Sequence, residues 1–145
     1  MTEQEIIGRA LRVLEERITY GGVMGAPSDV KNFCRLRLAG LQHEVFGVIW
    51  LNSQNCLIEA VDMFRGTLTQ ASVYPREVVK DGLFKNAAAC ILYHNHPSGL
   101  LEPSRADEML TRTLKSALEL VDIRVLDHIL VADSGAMSFA ERGLV

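Results

Sequence analysis

The chain has 145 residues, of which 48% are hydrophobic and 23% charged. This is the length of one globular domain, with enough apolar content to bury a core without covalent staples. Its formal net charge of −3 supplies no global basic field to draw in nucleic acid. Cys34, Cys56 and Cys90 are odd in number, far apart and without C-x-x-C spacing. That excludes a disulfide framework or a zinc knuckle and predicts reduced thiols.

The N-terminus predicts an amphipathic helix. Ile6, Ile7, Ala10, Leu11, Val13, Leu14 and Ile18 recur at near-helical spacing up to Gly21-Gly22. Its apolar face would pack on its own domain or on a second copy, as a homodimer. Residues 21–27 read as a loop. Ser28 and Asp29 are N-cap candidates for a helix over Val30–Ala39, stopped by Gly40. Glu44–Leu51 reads as a strand, 52–55 as a turn and Cys56–Phe64 as the return strand of a hairpin. A weaker strand follows over Thr67–Val73. Pro75 opens a helix, Arg76–Asn86, placed to cross over between strands.

Ala87–Tyr93 is an apolar run suited to a strand buried on both faces. Beyond it, Ser104–Leu120 reads as a helix, Arg124–Val131 as a strand, 133–135 as a turn and Ala136–Phe139 as a final strand. Intermixed helices and strands predict an α/β fold with a mixed sheet. The acidic N-terminus lacks a signal-peptide core, and no apolar run approaches the roughly 20 residues of a membrane span. Cytoplasmic localisation without a membrane partner is therefore expected.

Between the buried strand and the long helix lies the stretch that carries chemistry. It reads H-x-H, seven residues, S, two residues, D, as His94, His96, Ser104 and Asp107. In extended backbone, His94 and His96 point to one side while Asn95 faces away. Two imidazoles and a carboxylate make a three-ligand set for a divalent metal. The fourth position is left for water, as in catalytic zinc sites. Ser104 and Asp107 also resemble a capping box at a helix N-terminus, where the acid suits the helix dipole. The two roles are compatible, because a rigid helix start holds the carboxylate still.

This pattern is similar to the signature of the JAMM/MPN metalloprotease-like domains. The string His94-Asn95-His96-Pro97-Ser98-Gly99, with Pro103-Ser104 and Asp107, resembles their bacterial RadC branch. Gly66-Thr67, Pro75 to Val79, Asn86 to Ala89, Asp127-His128 and Ser138 to Glu141 fit as well. The resemblance covers Ser28 to Val145, leaving residues 1–27 as an N-terminal helix and linker. It is to the short RadC-like form without an N-terminal helix-hairpin-helix region.

The resemblance implies a three-layer-like mixed sheet flanked by helices, the JAMM/cytidine-deaminase-like architecture. It also implies one zinc per chain, held by His94, His96 and Asp107. Glu44 would be the base and acid, and Ser104 the donor to the oxyanion of amide hydrolysis, with a protein or peptide as substrate. Glu77 and Glu59 are rival carboxylates. His43 and His128 read as structural histidines. A zinc deaminase would need H-x-E with P-C-x-x-C, and neither is present. The remaining alternatives are a nucleic-acid-processing role, as the RadC name implies, and a binding module without turnover.

Overall fold

The computed structural model describes residues 1–24, 27–66 and 73–145. Among these residues, four helices, α1 (Glu3–Gly21), α2 (Pro27–Arg37), α3 (Pro75–Phe84) and α4 (Arg105–Glu119), flank a sheet of five strands. The strands are β1 (Val45–Leu51), β2 (Leu57–Arg65), β3 (Ala89–Asn95), β4 (Arg124–Ala132) and β5 (Gly135–Ser138). Their spatial order is β2-β1-β3-β4-β5. Among the described residues, only the β3–β4 pair is parallel, and α4 links those two strands. The other pairs are antiparallel. The α/β class and mixed sheet expected from the sequence are both present.

Strand alternation divides the core in two. Val45, Ile49 and Leu51 of β1 and Ala89, Ile91 and Tyr93 of β3 join Leu14, Ile18, Phe33 and Cys34 of α1 and α2 on one face. Phe46, Val48, Trp50, Cys90 and Leu92 join Val78 of α3 and Leu110, Leu114 and Leu118 of α4 on the other. β1 and β3 are buried at every position, as their near-continuous apolar sequence anticipates. Helix α1 is thus part of one continuous core with α2 and the sheet.

Several boundaries move for identifiable reasons. Helix α2 starts at Pro27, so Ser28 and Asp29 lie in its first turn instead of capping it. Proline suits the first helical position because its missing N–H would be unpaired there anyway. Asp29 instead pairs with Arg17 at 3.3 Å and ties α2 to α1. Helix α3 ends at Phe84, and Asn86 takes a positive φ of 56° as the chain turns into β3. Strand β3 runs on through His94 and Asn95, because its ladder with β4 continues to Asn95 opposite Val131. The strand expected over Thr67–Val73 falls, Val73 excepted, outside the described residues. Among the described residues, no helix is long and apolar enough to cross a membrane.

One close approach constrains the sheet. The Tyr93 ring lies over Gly47, so a Cβ at Gly47 would collide with it. The Tyr93 hydroxyl donates to Asp62, and Arg37 Nε donates to Asp62 Oδ1 at 3.0 Å, joining α2 to the edge strand β2. Gly47→Ala is expected to destabilise the fold by about 1–3 kcal/mol through overpacking. A lowered urea midpoint at unchanged m-value would register it.

Candidate metal centre

The end of β3 presents the histidines. His94 shares the α4-facing side of the strand with Cys90 and Leu92. The His96 N–H donates to the Val131 carbonyl at 2.8 Å, so the extended path continues and returns His96 to the same side. A turn follows, closed by the Gly99 N–H on the His96 carbonyl at 2.9 Å. Its φ of 87° at Gly99 is a conformation that glycine adopts without strain. The turn brings the Leu100 carbonyl within 2.8 Å of His96 Nδ1.

Helix α4 delivers the carboxylate. Ser104 is its N-cap: Ser104 Oγ accepts from the Asp107 N–H at 3.0 Å, and Asp107 Oδ2 accepts from the Ser104 N–H at 2.8 Å. The capping box is therefore present, with aspartate where glutamate or glutamine is usual. The same carboxylate faces both imidazoles. Asp107 Oδ1 lies 3.3 Å from His94 Nε2, and Oδ2 lies 3.1 Å from His96 Nε2. The two Nε2 atoms are 3.2 Å apart.

These separations suit a metal. A tetrahedral ion with ligands at about 2.0–2.1 Å has ligand-to-ligand edges of about 3.3 Å. The two Nε2 atoms stand at such an edge length and each also has one Asp107 oxygen at it, so His94, His96 and Asp107 form a cluster that could hold a metal ion.

The tautomers agree with that use. A carbonyl only accepts, so His96 Nδ1 donates to Leu100; in the neutral ring the Nε2 lone pair then faces the cluster, and in the protonated ring Nε2–H donates to Asp107. Thr111 Oγ1 donates to the Asp107 carbonyl at 2.8 Å and also lies 2.6 Å from His128 Nδ1. His128 Nε2 in turn lies 2.6 Å from His94 Nδ1. Each of these contacts is a hydrogen bond if His128 Nδ1 and His94 Nδ1 both donate. That also leaves the His94 Nε2 lone pair facing the cluster.

Electrostatics tie the three groups together, and an ion would take the place of the protons they share. Burial alone would raise the Asp107 carboxyl, but the His94 and His96 rings, which donate to it when protonated at Nε2, outweigh burial and hold the group well below the usual carboxylate range. His96 is raised, chiefly by its hydrogen bond to Asp107, with a smaller contribution from the Glu44 charge. Burial lowers His128 strongly and keeps it neutral.

Glu44 stands beside this cluster. Phe46 pairs with His94 across β1 and β3, and continuing that antiparallel register sets Glu44 opposite His96. Asn95, on the other face, accepts from the Val45 N–H at 2.7 Å and donates to the His43 carbonyl at 3.1 Å. One amide thus clamps the backbone on both sides of Glu44. The rivals sit differently. Glu59 pairs with Trp50 at the far end of β1, roughly 13 Å along the strand from Phe46, and bonds to Lys85 at 3.0 Å. Glu77 opens α3 beside Arg76.

The sequence reading left three contributors out of the site. His128, read as structural, is fully buried between His94 and Thr111 and stacks on Phe139 at 4.2 Å, but its contact with His94 was not foreseen. Thr111 follows Asp107 by one helical turn, a spacing that could have singled it out. Asn95 could have been noted as a polar residue at the end of a buried run. On the α1/α2 side of the sheet, reaching His96 but not His94 or Asp107, a cavity of about 660 Å³ opens between α1, α2 and the ends of β3 and β4. Arg17, Arg35, Leu36, His96 and Pro97 are among its walls.

The sequence profile of the RadC-like JAB domain family matches residues 24–144. A UPF0758 protein of Aromatoleum aromaticum is 60% identical over 143 residues, covering 98% of this chain and 64% of that relative. A UPF0758 protein of Nitrosomonas eutropha is 54% identical over 142 residues, covering 98% and 63% respectively. One from Methylibium petroleiphilum is 57% identical over 136 residues, covering 94% and 61%. The chain spans less than two thirds of the length of these relatives.

The double use of Asp107 can be separated by mutation. Ser104→Ala is expected to cost about 0.5–2 kcal/mol of stability through the lost cap. Asp107→Ala should cost a similar amount in denaturant titrations while abolishing tight metal binding in calorimetry. A collapse of stability with metal affinity retained would leave Asp107 as a cap alone.

Proposed function

The chain belongs to the RadC-like JAB domain family, and on that premise we propose that it is a zinc-dependent hydrolase cleaving an amide bond, in peptide or isopeptide linkage. The observation that carries this reading is the convergence of His94 Nε2, His96 Nε2 and both oxygens of the Asp107 carboxylate, at separations of 3.1–3.3 Å. Zinc bound there would supply a Lewis acid for the scissile carbonyl and lower the pKa of water to about 7.

The chain's own groups divide the remaining work. The Glu44 carboxylate, held opposite His96, takes a proton from the attacking water and returns it to the leaving nitrogen. The products are a carboxylate and an amine. Ser104 Oγ uses a lone pair in the cap, so its hydroxyl hydrogen serves the carbonyl oxygen as that atom gains negative charge.

Purified protein loaded with zinc is expected to retain about one ion per chain by elemental analysis, and finding none would remove the basis of the reading. Glu44→Gln should keep the metal and lose about 10²–10⁴-fold in turnover of peptide or isopeptide-linked substrates. Metal loss in that variant would make Glu44 a ligand. A nucleic-acid-processing role, which the family name admits, requires instead tight single-strand binding with a steep salt dependence.

A further inference from the structure

Thr111 and His128 lie away from the open side of the cluster, yet they close a loop between two of its members. The path runs from the Asp107 carbonyl to Thr111 Oγ1 at 2.8 Å, to His128 Nδ1 at 2.6 Å, and from His128 Nε2 to His94 Nδ1 at 2.6 Å. His94, Thr111 and His128 are all fully buried. Water therefore does not compete for these bonds, and each hydrogen must be assigned within the loop.

The assignment follows from one hydroxyl. A threonine side chain has a single hydrogen to donate. Directed at the Asp107 carbonyl, it leaves Thr111 Oγ1 to accept from His128 Nδ1–H. Directed at His128 instead, it would set two lone-pair oxygens against each other at 2.8 Å. We infer that Thr111 and His128 are positioning residues that select the His94 tautomer, with Thr111 placing the His128 hydrogen on Nδ1 and His128 thereby placing the His94 hydrogen on Nδ1.

The consequence is specific. With the hydrogen on Nδ1, His94 Nε2 presents a lone pair to the cluster. In the opposite arrangement His128 donates from Nε2, His94 Nδ1 must accept, and the His94 hydrogen moves to Nε2, where it blocks coordination. The role rests on reading the cluster as a metal centre and is independent of which bond is cleaved. Outer partners of this kind commonly contribute 10–100-fold to metal affinity.

The test uses the full chain with ¹⁵N-labelled imidazoles, two-bond proton–nitrogen spectra and zinc affinity from chelator competition. In the wild type, His128 is expected to carry its hydrogen on Nδ1 with and without zinc. Thr111→Val, which keeps the shape and removes the hydroxyl, should bind zinc about 10–100-fold more weakly. Thr111→Ser should restore binding to within a few-fold. His128→Gln, which offers both an acceptor and a donor, should bind better than His128→Phe. Loss of packing alone would not produce the contrast between serine and valine, and would leave the wild-type tautomer unassigned.

A wild-type His128 hydrogen on Nε2, or undiminished zinc affinity in Thr111→Val, overturns the inference while leaving the metal centre intact. A wild type that binds no zinc overturns the metal reading itself.

Discussion

The amide of Asn95 is the contact on which the arrangement of the site depends. It accepts from Val45 N–H and donates to the His43 carbonyl, so the end of the central strand is pinned to the start of its antiparallel neighbour. Register matters here because strand side chains alternate. A slip of one residue would turn every side chain of β1 to the opposite face. With the register fixed, Phe46 lies opposite His94, and Glu44 comes opposite His96. The same alternation sends Asn95 into the α1/α2 side and both histidines toward α4.

The apolar surroundings decide how strong these polar contacts are. Phe46 meets the His128 ring edge-on at 5.8 Å, and Phe139 stacks on it. Hydrogen bonds in such a dry setting are electrostatically stronger than in water, and any unpaired polar group there is costly. The core on the α4 side therefore sharpens the site by excluding water from the His94–His128–Thr111 path. Phe139 is itself held from behind. Its N–H donates to the His128 carbonyl at 2.9 Å, while Asp127 takes Ser138 Oγ and the Ala140 N–H, at 2.6 and 3.0 Å.

Much of this was legible in the sequence. The spacing of His94, His96, Ser104 and Asp107 carried both the candidate cluster and the capping box, because both are local patterns on one strand end and one helix start. The apolar runs located β1 and β3 for the same reason. What could not be read was pairing across distance. His128 is 34 residues from His94 in the chain, and only the parallel β3–β4 ladder brings them together. Asp127-His128 looked like an ordinary strand start, since a sequence does not state which strands are neighbours. Likewise, periodicity located α2, but Pro27 set its first turn ahead of the residues with better capping propensity.

The cap on α4 has a thermodynamic consequence for any ion that enters. Asp107 is fixed by the helix it caps, and His96 by the Leu100 carbonyl, so their side-chain entropy is already lost on folding. Small zinc domains differ in that their ligands are ordered only when the ion arrives, and the apo chain unfolds. Here the ligand set is a product of the fold. An ion bound there would therefore exchange without the protein unfolding, and its occupancy would follow the supply of metal instead of the stability of the chain.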